Sequence, residues 1–178
     1  MTFKLSWYDR KRVKEVGPNR ACAEWLLKNG ASVRYKNWGS LTSDYNQIPS
    51  GAPDQYKIEE IRAIKASVMA QGFDYLEGLG DVKKIHLEKC ELVDDTTLAK
   101  FSFVKNTLEH VVLIGNDRIT ANGLSCLAAL KNLKQIDLAR LTGVKNEESA
   151  TKLLKNELPG CVVNFDDNIA PAPELAEK

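Results

Sequence analysis

The sequence feature that most constrains the fold is an apolar motif that recurs every 25 or 26 residues. Each copy reads apolar-x-x-apolar-x-apolar, and in the complete copies a Cys, Asn or Leu follows three positions later. The copies begin at Val82, Leu108, Leu133 and Leu158, of which the last is truncated, and a weaker one begins at Ile61. Self-similarity of this period is typical of stacked repeat proteins. One unit cannot bury its own apolar face, whereas three or more stacked units share a continuous core.

The motif matches the leucine-rich-repeat pattern L-x-x-L-x-L-x-x-N/C, with Cys90 and Asn116 at its last position. The x-L-x stretch is expected to form a short strand, after which the small side chain turns inward and meets backbone groups. A helix is expected on the outer side of each unit. We therefore predict an α/β fold in which residues 58–165 form a leucine-rich-repeat solenoid of about four to five strand-helix units. A doubly wound parallel sheet is the alternative.

The two ends of the chain are predicted to have separate roles. Residues 1–57 are expected to form a small helical N-terminal domain that caps the first repeat. Its main helix is expected to have Asn19 as N-cap and to end at Gly30. Residues 37–55, rich in Gly, Ser, Asn, Asp and Pro, are expected to form an irregular connector. Residues 166–178 are predicted to be an acidic flexible tail.

Charge is distributed unevenly, although the formal net charge of the 178 residues is only +1. Residues 1–38 carry nine Lys or Arg against three acids, together with all three tryptophans. Such asymmetry indicates a partner rather than a fold. We predict that this basic end docks on an anionic membrane surface or an acidic subunit, in addition to capping the repeats. The near-neutral total and the lack of an RNA-binding signature argue against a nucleic-acid partner.

Residue types that support catalysis or metal binding are sparse. The four cysteines are far apart and only two histidines are present, so no C-x-x-C motif and no structural zinc site are expected. His86 and Glu88 fall on one strand face, predicted to be the concave face of the repeats, whereas His110 is expected to lie before the next strand. The other residues expected on the concave face are Val112, Ile114, Gln135, Asp137 and Ala139.

These observations predict a protein that is not an enzyme. No nucleophile with an oriented base can be recognised. We therefore expect the surfaces of the protein to carry its function, with His86 and Glu88 among the partner-binding residues. No apolar run reaches 18 residues, so no membrane-spanning segment is expected.

Several segments carry a resemblance to a known family. Residues 24–27, 30–35 and 44–51, followed by residues 72–74 and the repeat with Cys90, resemble the factor B family, also called ATP synthase subunit s. The resemblance covers nearly the whole chain. It implies a small mitochondrial protein, peripheral to the inner membrane on the matrix side. It also implies association with the membrane sector of ATP synthase and a role in coupling proton transport to ATP synthesis.

Two other functions are kept as alternatives. A related branch of the family assists assembly of the membrane arm of respiratory complex I, whose membrane-arm subunits are then the expected partners. Cysteine-containing repeats also occur in substrate adaptors of ubiquitin ligases. Such adaptors need an F-box module, for which residues 1–57 are too short and too broken by Gly and Pro. Mitochondrial import would require a presequence, and none is evident.

The resemblance implies a magnesium site and a thiol pair, and this sequence departs from both. The glycine ligand of the family's magnesium site matches Gly30, but the accompanying threonine falls on Ile64, which has no side-chain oxygen. The family's C-x-C motif falls on Glu88 and Cys90, so no dithiol is expected there. Cys90 is predicted to be a buried repeat residue. No cofactor is expected to be required, with Mg²⁺ as the one candidate.

One basic position of the family matches Arg34. A guanidinium group suits bidentate contacts with carboxylates or phosphates. Arg34, Lys36 and Trp38 are therefore predicted to contact the partner.

Overall fold

The computed structural model describes residues 8–173. Within them the chain forms five α-helices, three 3₁₀ helices and six strands. The α-helices are α1 (Arg10–Val16), α2 (Pro18–Lys28), α3 (Asp95–Lys100), α4 (Ala121–Leu127) and α5 (Glu147–Glu157). The 3₁₀ helices are Tyr45–Gln47, Ala70–Leu76 and Phe101–Val104. The strands are β1 (Ala31–Tyr35), β2 (Ile58–Ile64), β3 (Lys84–Glu88), β4 (His110–Ile114), β5 (Gln135–Ala139) and β6 (Val162–Phe165).

All six strands form one sheet in chain order, which confirms the α/β class. β1 is antiparallel to β2, and every later pair is parallel. Ile85 pairs with Val111, and Val111 pairs with Ile136, so the strand register advances by one copy of the sequence motif. The more specific assignment to a leucine-rich-repeat solenoid stays a prediction.

The weak first copy of the motif lies three residues from where the pattern puts it. Starting that copy at Ile61 aligns Ile64 with Ile85, but β2 pairs Ile61 with Ile85. Ile61 and Ala63 are fully buried, whereas Ile64 is half-buried. The alternation of buried side chains along the strand therefore sets the register.

The truncated last copy is also displaced. The pattern aligns Cys161 with Ile136, but β6 pairs Val163 with Ile136. The displacement is two residues, and an even displacement keeps the same face of the strand turned toward the core. The strand β6 therefore remains compatible with the stack although its spacing differs.

The helices pack on one face of the sheet in a continuous row. Neighbours in the row are α2, the 3₁₀ helix Ala70–Leu76, α3, α4 and α5. One hydrophobic cluster extends from Ala21 on α2 to Val163 on β6 beneath these helices. The predicted segments 1–57 and 58–165 thus share one sheet and one core, because β1 is hydrogen-bonded to β2.

The predicted N-cap of α2 is wrong. Gly17 is the N-cap and Pro18 occupies the first turn, where its missing N–H is no loss. Asn19 is instead buried, and its Oδ1 accepts a hydrogen bond from the Ile58 N–H at 2.8 Å while its Nδ2 donates to Asp54 Oδ1 at 2.9 Å. Its side chain therefore joins α2 to the beginning of β2.

The predicted end of α2 is confirmed, and the following connector is mostly irregular as expected. Asn29 is the C-cap, and Gly30 has a φ of 84°, in the left-handed region that glycine adopts without strain. Between residues 37 and 55 the regular structure is limited to Tyr45–Gln47 and one bridge between Val33 and Thr42.

The turn after each of four successive strands has the same backbone form. One residue in each turn lies in the left-handed region, with φ between 49° and 61°. These residues are Lys65, Lys89, Gly115 and Arg140. In the first three turns, the N–H of this residue donates to the last carbonyl of the next strand. Each turn therefore depends on the following unit for its hydrogen bonding.

The side chain of Asn116 also connects neighbouring turns. It is fully buried; its Oδ1 accepts from the Cys90 N–H at 3.0 Å, and its Nδ2 donates to the Leu87 carbonyl at 2.9 Å. Cys90 is 1% exposed, and its Sγ lies 3.4 Å from the carbonyl oxygens of Ala63 and Glu88. Both side chains therefore bond backbone groups of the neighbouring strand or turn.

Replacing Asn116 with Ala is expected to lower the free energy of unfolding by about 2–4 kcal/mol, because a buried N–H and a buried carbonyl lose their partner. Urea denaturation provides the measurement. The matched control is Asn122→Ala, since Asn122 is exposed on α4 and is expected to shift the free energy by less than about 0.5 kcal/mol. Equal effects of the two substitutions would contradict the role assigned to Asn116.

A second stability prediction concerns the close approach of Gly72 to Trp25. A Cβ atom on Gly72 would overlap the Trp25 ring, which packs against Phe73 at 5.2 Å and Tyr75 at 5.7 Å between centroids. Gly72→Ala is therefore expected to lower the unfolding free energy by about 1–3 kcal/mol and to change the tryptophan emission. Gly80→Ala is the control, because nothing lies near its Cβ position.

Candidate functional site

The predicted partner-binding residues Arg34 and Lys36 are both paired with acids of this chain. Arg34 Nη1 lies 2.5 Å from Glu59 Oε2, and its Nε lies 3.2 Å from Glu60 Oε2. Burial disfavours the charged guanidinium, but the two carboxylates outweigh it and raise the pKa of Arg34. Lys36 Nζ lies 2.7 Å from Asp81 Oδ1, and this hydrogen bond raises the pKa of Lys36. Much of the positive charge at these positions is thus already compensated.

Trp38 is half-buried and belongs to an aromatic cluster. Its ring meets that of Tyr35 edge-on at 4.9 Å and that of Tyr56 at 6.3 Å. Trp25 is 3% exposed and lies in the core, and Trp7 lies outside the described residues. The two tryptophans that the structure describes therefore pack against other side chains of this chain.

An ion-pair cluster around the buried Glu24 at the N-terminal end was not anticipated. Arg12 forms a bidentate contact with Glu24, at 2.8 Å from Nε and 2.6 Å from Nη2, and Arg20 Nε lies 3.1 Å from the same carboxylate. Burial disfavours the ionised form of Glu24, but the hydrogen bonds from Arg12 and Arg20 outweigh it and lower its pKa. The Arg20–Glu24 spacing along one helix is readable in the sequence, whereas the contact with Arg12 needs the packing of α1 on α2.

Three basic residues on α1 keep their charge exposed. Arg10, Lys11 and Lys14 are exposed, and within residues 8–173 none of them makes an ion pair. We call these three residues the α1 basic surface. The charge asymmetry of the sequence is therefore concentrated on α1 rather than around Arg34. None of the helices described in residues 8–173 is long and apolar enough to cross a membrane.

The face of the sheet opposite the helices, called here the second face, carries His86 and Glu88. His86 Nε2 lies 3.2 Å from Glu88 Oε2, and the two residues are only 6% and 2% exposed. Burial lowers the pKa of His86, so the imidazole is favoured in its neutral form. The two predicted binding residues lie side by side as expected, but they are covered.

Residues 166–173 cover this part of the second face; we call them the C-terminal strap. Ile169 packs on a small cluster of Val112, Ile114 and Ala139, and the Ala172 N–H donates to Glu88 Oε2 at 3.1 Å. This part of the predicted flexible tail therefore makes defined contacts, whereas residues 174–178 lie outside the described residues.

The expected position of His110 is wrong. His110 is the first residue of β4 and pairs in register with Lys84 and Gln135, so it lies on the second face. Its Nε2 lies 2.7 Å from Asp137 Oδ2. Gln135 and Asn164 donate to the same carboxylate, each at 2.7 Å. The motif marks only the apolar positions, and β4 begins one residue before its first inward position.

The histidines of the second face are paired with carboxylates, and two of the cysteines lie in the main core. Within residues 8–173 neither histidine makes a hydrogen bond with a hydroxyl or thiol. Cys22 and Cys90 are buried, and burial raises the pKa of both thiols, which disfavours the reactive thiolate. Among residues 8–173 no group of three His, Cys, Asp or Glu could hold a metal ion.

The positions implied for magnesium supply a poor donor set. Gly30 has no side chain, and its left-handed φ at the end of α2 explains the glycine without a metal. Ile64 contributes an aliphatic side chain at the end of β2. Mg²⁺ prefers six oxygen ligands, usually with carboxylates among them. The residues at these positions do not fit a magnesium site built from side chains.

Comparison with known proteins identifies relatives over most of the chain. Human ATP synthase subunit s, mitochondrial, is 40% identical over 154 residues, which is 85% of this chain and 77% of the human protein. The bovine protein of the same name is 38% identical over 161 residues, 89% of this chain and 80% of the relative. Drosophila melanogaster distal membrane arm assembly component 2 is 26% identical over 163 residues, 89% of this chain and 57% of that protein.

No protein-family profile matches the chain. The similarity to the human and bovine proteins nevertheless covers at least 85% of the residues of this chain. The chain belongs to the ATP synthase subunit s, or factor B, family.

Proposed function

We propose that this chain is a non-catalytic accessory subunit of the mitochondrial ATP synthase. In this proposal it is held at the matrix side of the inner membrane as a peripheral protein, and it takes part in coupling proton transport to ATP synthesis. The observation that carries the proposal is the 40% identity with human ATP synthase subunit s over 85% of this chain. The buried thiols and carboxylate-paired histidines of the second face support a role in binding.

The α1 basic surface is the proposed contact with the anionic membrane or with an acidic subunit. Cations near a surface rich in anionic lipid each contribute about 1 kcal/mol to binding. Arg10, Lys11 and Lys14 are exposed and make no ion pair with any acid in the described part of the chain, whereas Arg34 and Lys36 are paired. We therefore propose that α1, rather than the end of β1, contacts the membrane or the acidic subunit.

Residues 58–165 are proposed to be a short leucine-rich-repeat solenoid. Parallel strands in chain order, a helix or 3₁₀ helix between successive strands, and four left-handed turns at a similar spacing support this assignment. The inward Asn116, which bonds the turn of the preceding unit, supports it further. On this proposal α1, α2 and β1 form the cap of the first unit.

A second candidate function is assembly of the membrane arm of respiratory complex I. The Drosophila melanogaster relative named distal membrane arm assembly component 2 favours it, at 26% identity over 89% of this chain. The chain spans little more than half of that protein. The hypothesis of a ubiquitin-ligase adaptor gains no similar support.

Reversing the α1 basic surface is expected to weaken membrane binding. Arg10→Glu with Lys11→Glu should reduce binding to vesicles of phosphatidylcholine and cardiolipin by at least about tenfold, because two attractive charges become repulsive. Co-sedimentation at low and moderate salt gives the measurement, and the wild-type chain should lose binding as salt rises.

The matched control is Lys152→Glu with Lys155→Glu, which makes the same charge change on the exposed side of α5. This control should bind as the wild-type chain does. Equal losses in both double variants would point to total charge alone, and no loss in either would refute the contact through α1.

Affinity purification from detergent-solubilised mitochondria distinguishes the two candidate functions. Recovery of ATP synthase subunits is expected, whereas recovery of membrane-arm subunits of complex I without ATP synthase would select the second function. In mitochondria lacking this chain, ATP synthesis driven by the proton gradient is expected to fall. ATP hydrolysis by the detergent-solubilised synthase should remain unchanged, because the proposal gives this chain no catalytic part.

A further inference from the structure

The C-terminal strap crosses the second face from the last strand toward β3. It leaves the end of β6, passes over the ends of β5 and β4, and reaches Glu88 at the end of β3. The strap thus contacts three strands with only eight residues. Three different kinds of contact follow one another along the strap.

The first contact recognises an acidic residue. The Asp167 carboxylate accepts the Arg140 N–H at 2.5 Å, and Arg140 Nη1 donates to the carbonyls of Asp167 at 2.5 Å and Ile169 at 3.1 Å. In the three preceding turns the equivalent N–H donates to a strand carbonyl of the next unit. Arg140 therefore offers two donors to a segment that lies beside it. Its backbone N–H bonds a carboxylate, and its guanidinium group bonds backbone carbonyls.

The second contact is an apolar socket. Val112, Ile114 and Ala139 are at most 6% exposed and form a cluster separate from the main core. Ile169 is the residue packed against it, and Ile169 itself remains half-buried. One aliphatic side chain thus fits the socket.

The third contact is a backbone hydrogen bond to a buried carboxylate. Glu88 is 2% exposed, and its Oε2 accepts from both the His86 ring and the Ala172 N–H. A carboxylate acceptor strengthens a hydrogen bond relative to a neutral one. Because the donor is a backbone N–H, any non-proline residue could supply it.

Only a few groups of the strap contact the rest of the protein. Asp166, Asp167, Asn168, Ala170 and the two prolines Pro171 and Pro173 are exposed, and the prolines have no N–H to donate. The residues beneath it are buried with the strap in place, whereas most of the strap residues are exposed. Segments with few buried contacts open at the lowest cost in a folded protein.

We propose that the second face is a binding site for an extended segment of a partner polypeptide, and that the strap occupies this site until the partner displaces it. The partner segment carries an acidic residue for Arg140, an aliphatic residue two positions later for the socket, and a backbone N–H three positions further on for Glu88. The Arg140 backbone N–H, which bonds the Asp167 carboxylate, and the apolar socket favour a segment with an acidic and an aliphatic residue over a basic or wholly polar one. This inference does not depend on which respiratory complex supplies the segment.

The test uses a fluorescent peptide with the sequence of residues 165–173 as the probe and the full-length chain as the receptor. Ile169→Ser in the full-length chain weakens the strap without changing the face. The peptide is expected to bind this variant at least tenfold more tightly than the wild-type chain, in which the tethered strap competes at high effective concentration. Fluorescence anisotropy gives the two dissociation constants.

Control peptides define the chemistry of the partner. A peptide with Ser in place of the residue corresponding to Ile169, and one with Lys in place of that corresponding to Asp167, should each lose at least tenfold in affinity for the strap-weakened chain. Equal binding of all three peptides would refute the recognition proposed here.

A second strap variant keeps the proposal testable if Ile169→Ser fails to fold. Ala172→Pro removes only the N–H that donates to Glu88, at an exposed stretch that already contains two prolines. It is also expected to bind the peptide more tightly than the wild-type chain. If both variants remain folded by circular dichroism and neither gains affinity, the strap is a permanent cap and the proposal is wrong.

Discussion

The structure depends on one constraint: the backbone polar groups in each turn must be satisfied by the next unit along the stack. Asn116 is an example: its fully buried amide accepts from the Cys90 N–H of the preceding turn and donates to the Leu87 carbonyl at the end of β3. Each unpaired buried group would cost about 1–3 kcal/mol. The left-handed residues after β2, β3 and β4 extend the same dependence, since each donates its N–H to the following strand. Each unit is therefore stabilised by its neighbours in the stack.

A stack of this kind must be closed at both ends, and the chain does so by two different means. At the first end β1 pairs antiparallel with β2, and α2 covers the core with Asn19 bonding the start of β2. At the last end the N–H of Arg140, after β5, donates to the Asp167 side chain of the strap rather than to a carbonyl of β6. The second closure uses exposed residues and one half-buried aliphatic side chain. This difference in burial is why the strap, rather than the N-terminal cap, is the exchangeable element.

The distribution of charge separates residues that hold the fold from residues free to meet a partner. Arg12, Arg20 and Arg34 are committed to carboxylates of α2 and β2. Among residues 8–38, the exposed basic residues Arg10, Lys11 and Lys14 make no ion pair with the described residues and lie together on α1. A count of charges over residues 1–38 therefore indicates that a basic surface exists but overstates its size. Family membership and this smaller surface are compatible with a peripheral protein that acts through contacts.

Much of the architecture could be read from the order of the residues. The period of the apolar motif indicated stacked α/β units, because inward positions must recur once per unit, and the end of α2 followed from an Asn-Gly pair. Other features depend on groups distant in the chain. The pairing of Arg34 with Glu59, the burial of His86 and Glu88 under residues 166–173, and the side-chain role of Asn19 each join segments at least 25 residues apart. Local patterns report which side chains are apolar and how they alternate, whereas only the folded chain determines which polar groups find one another, since those contacts arise from packing.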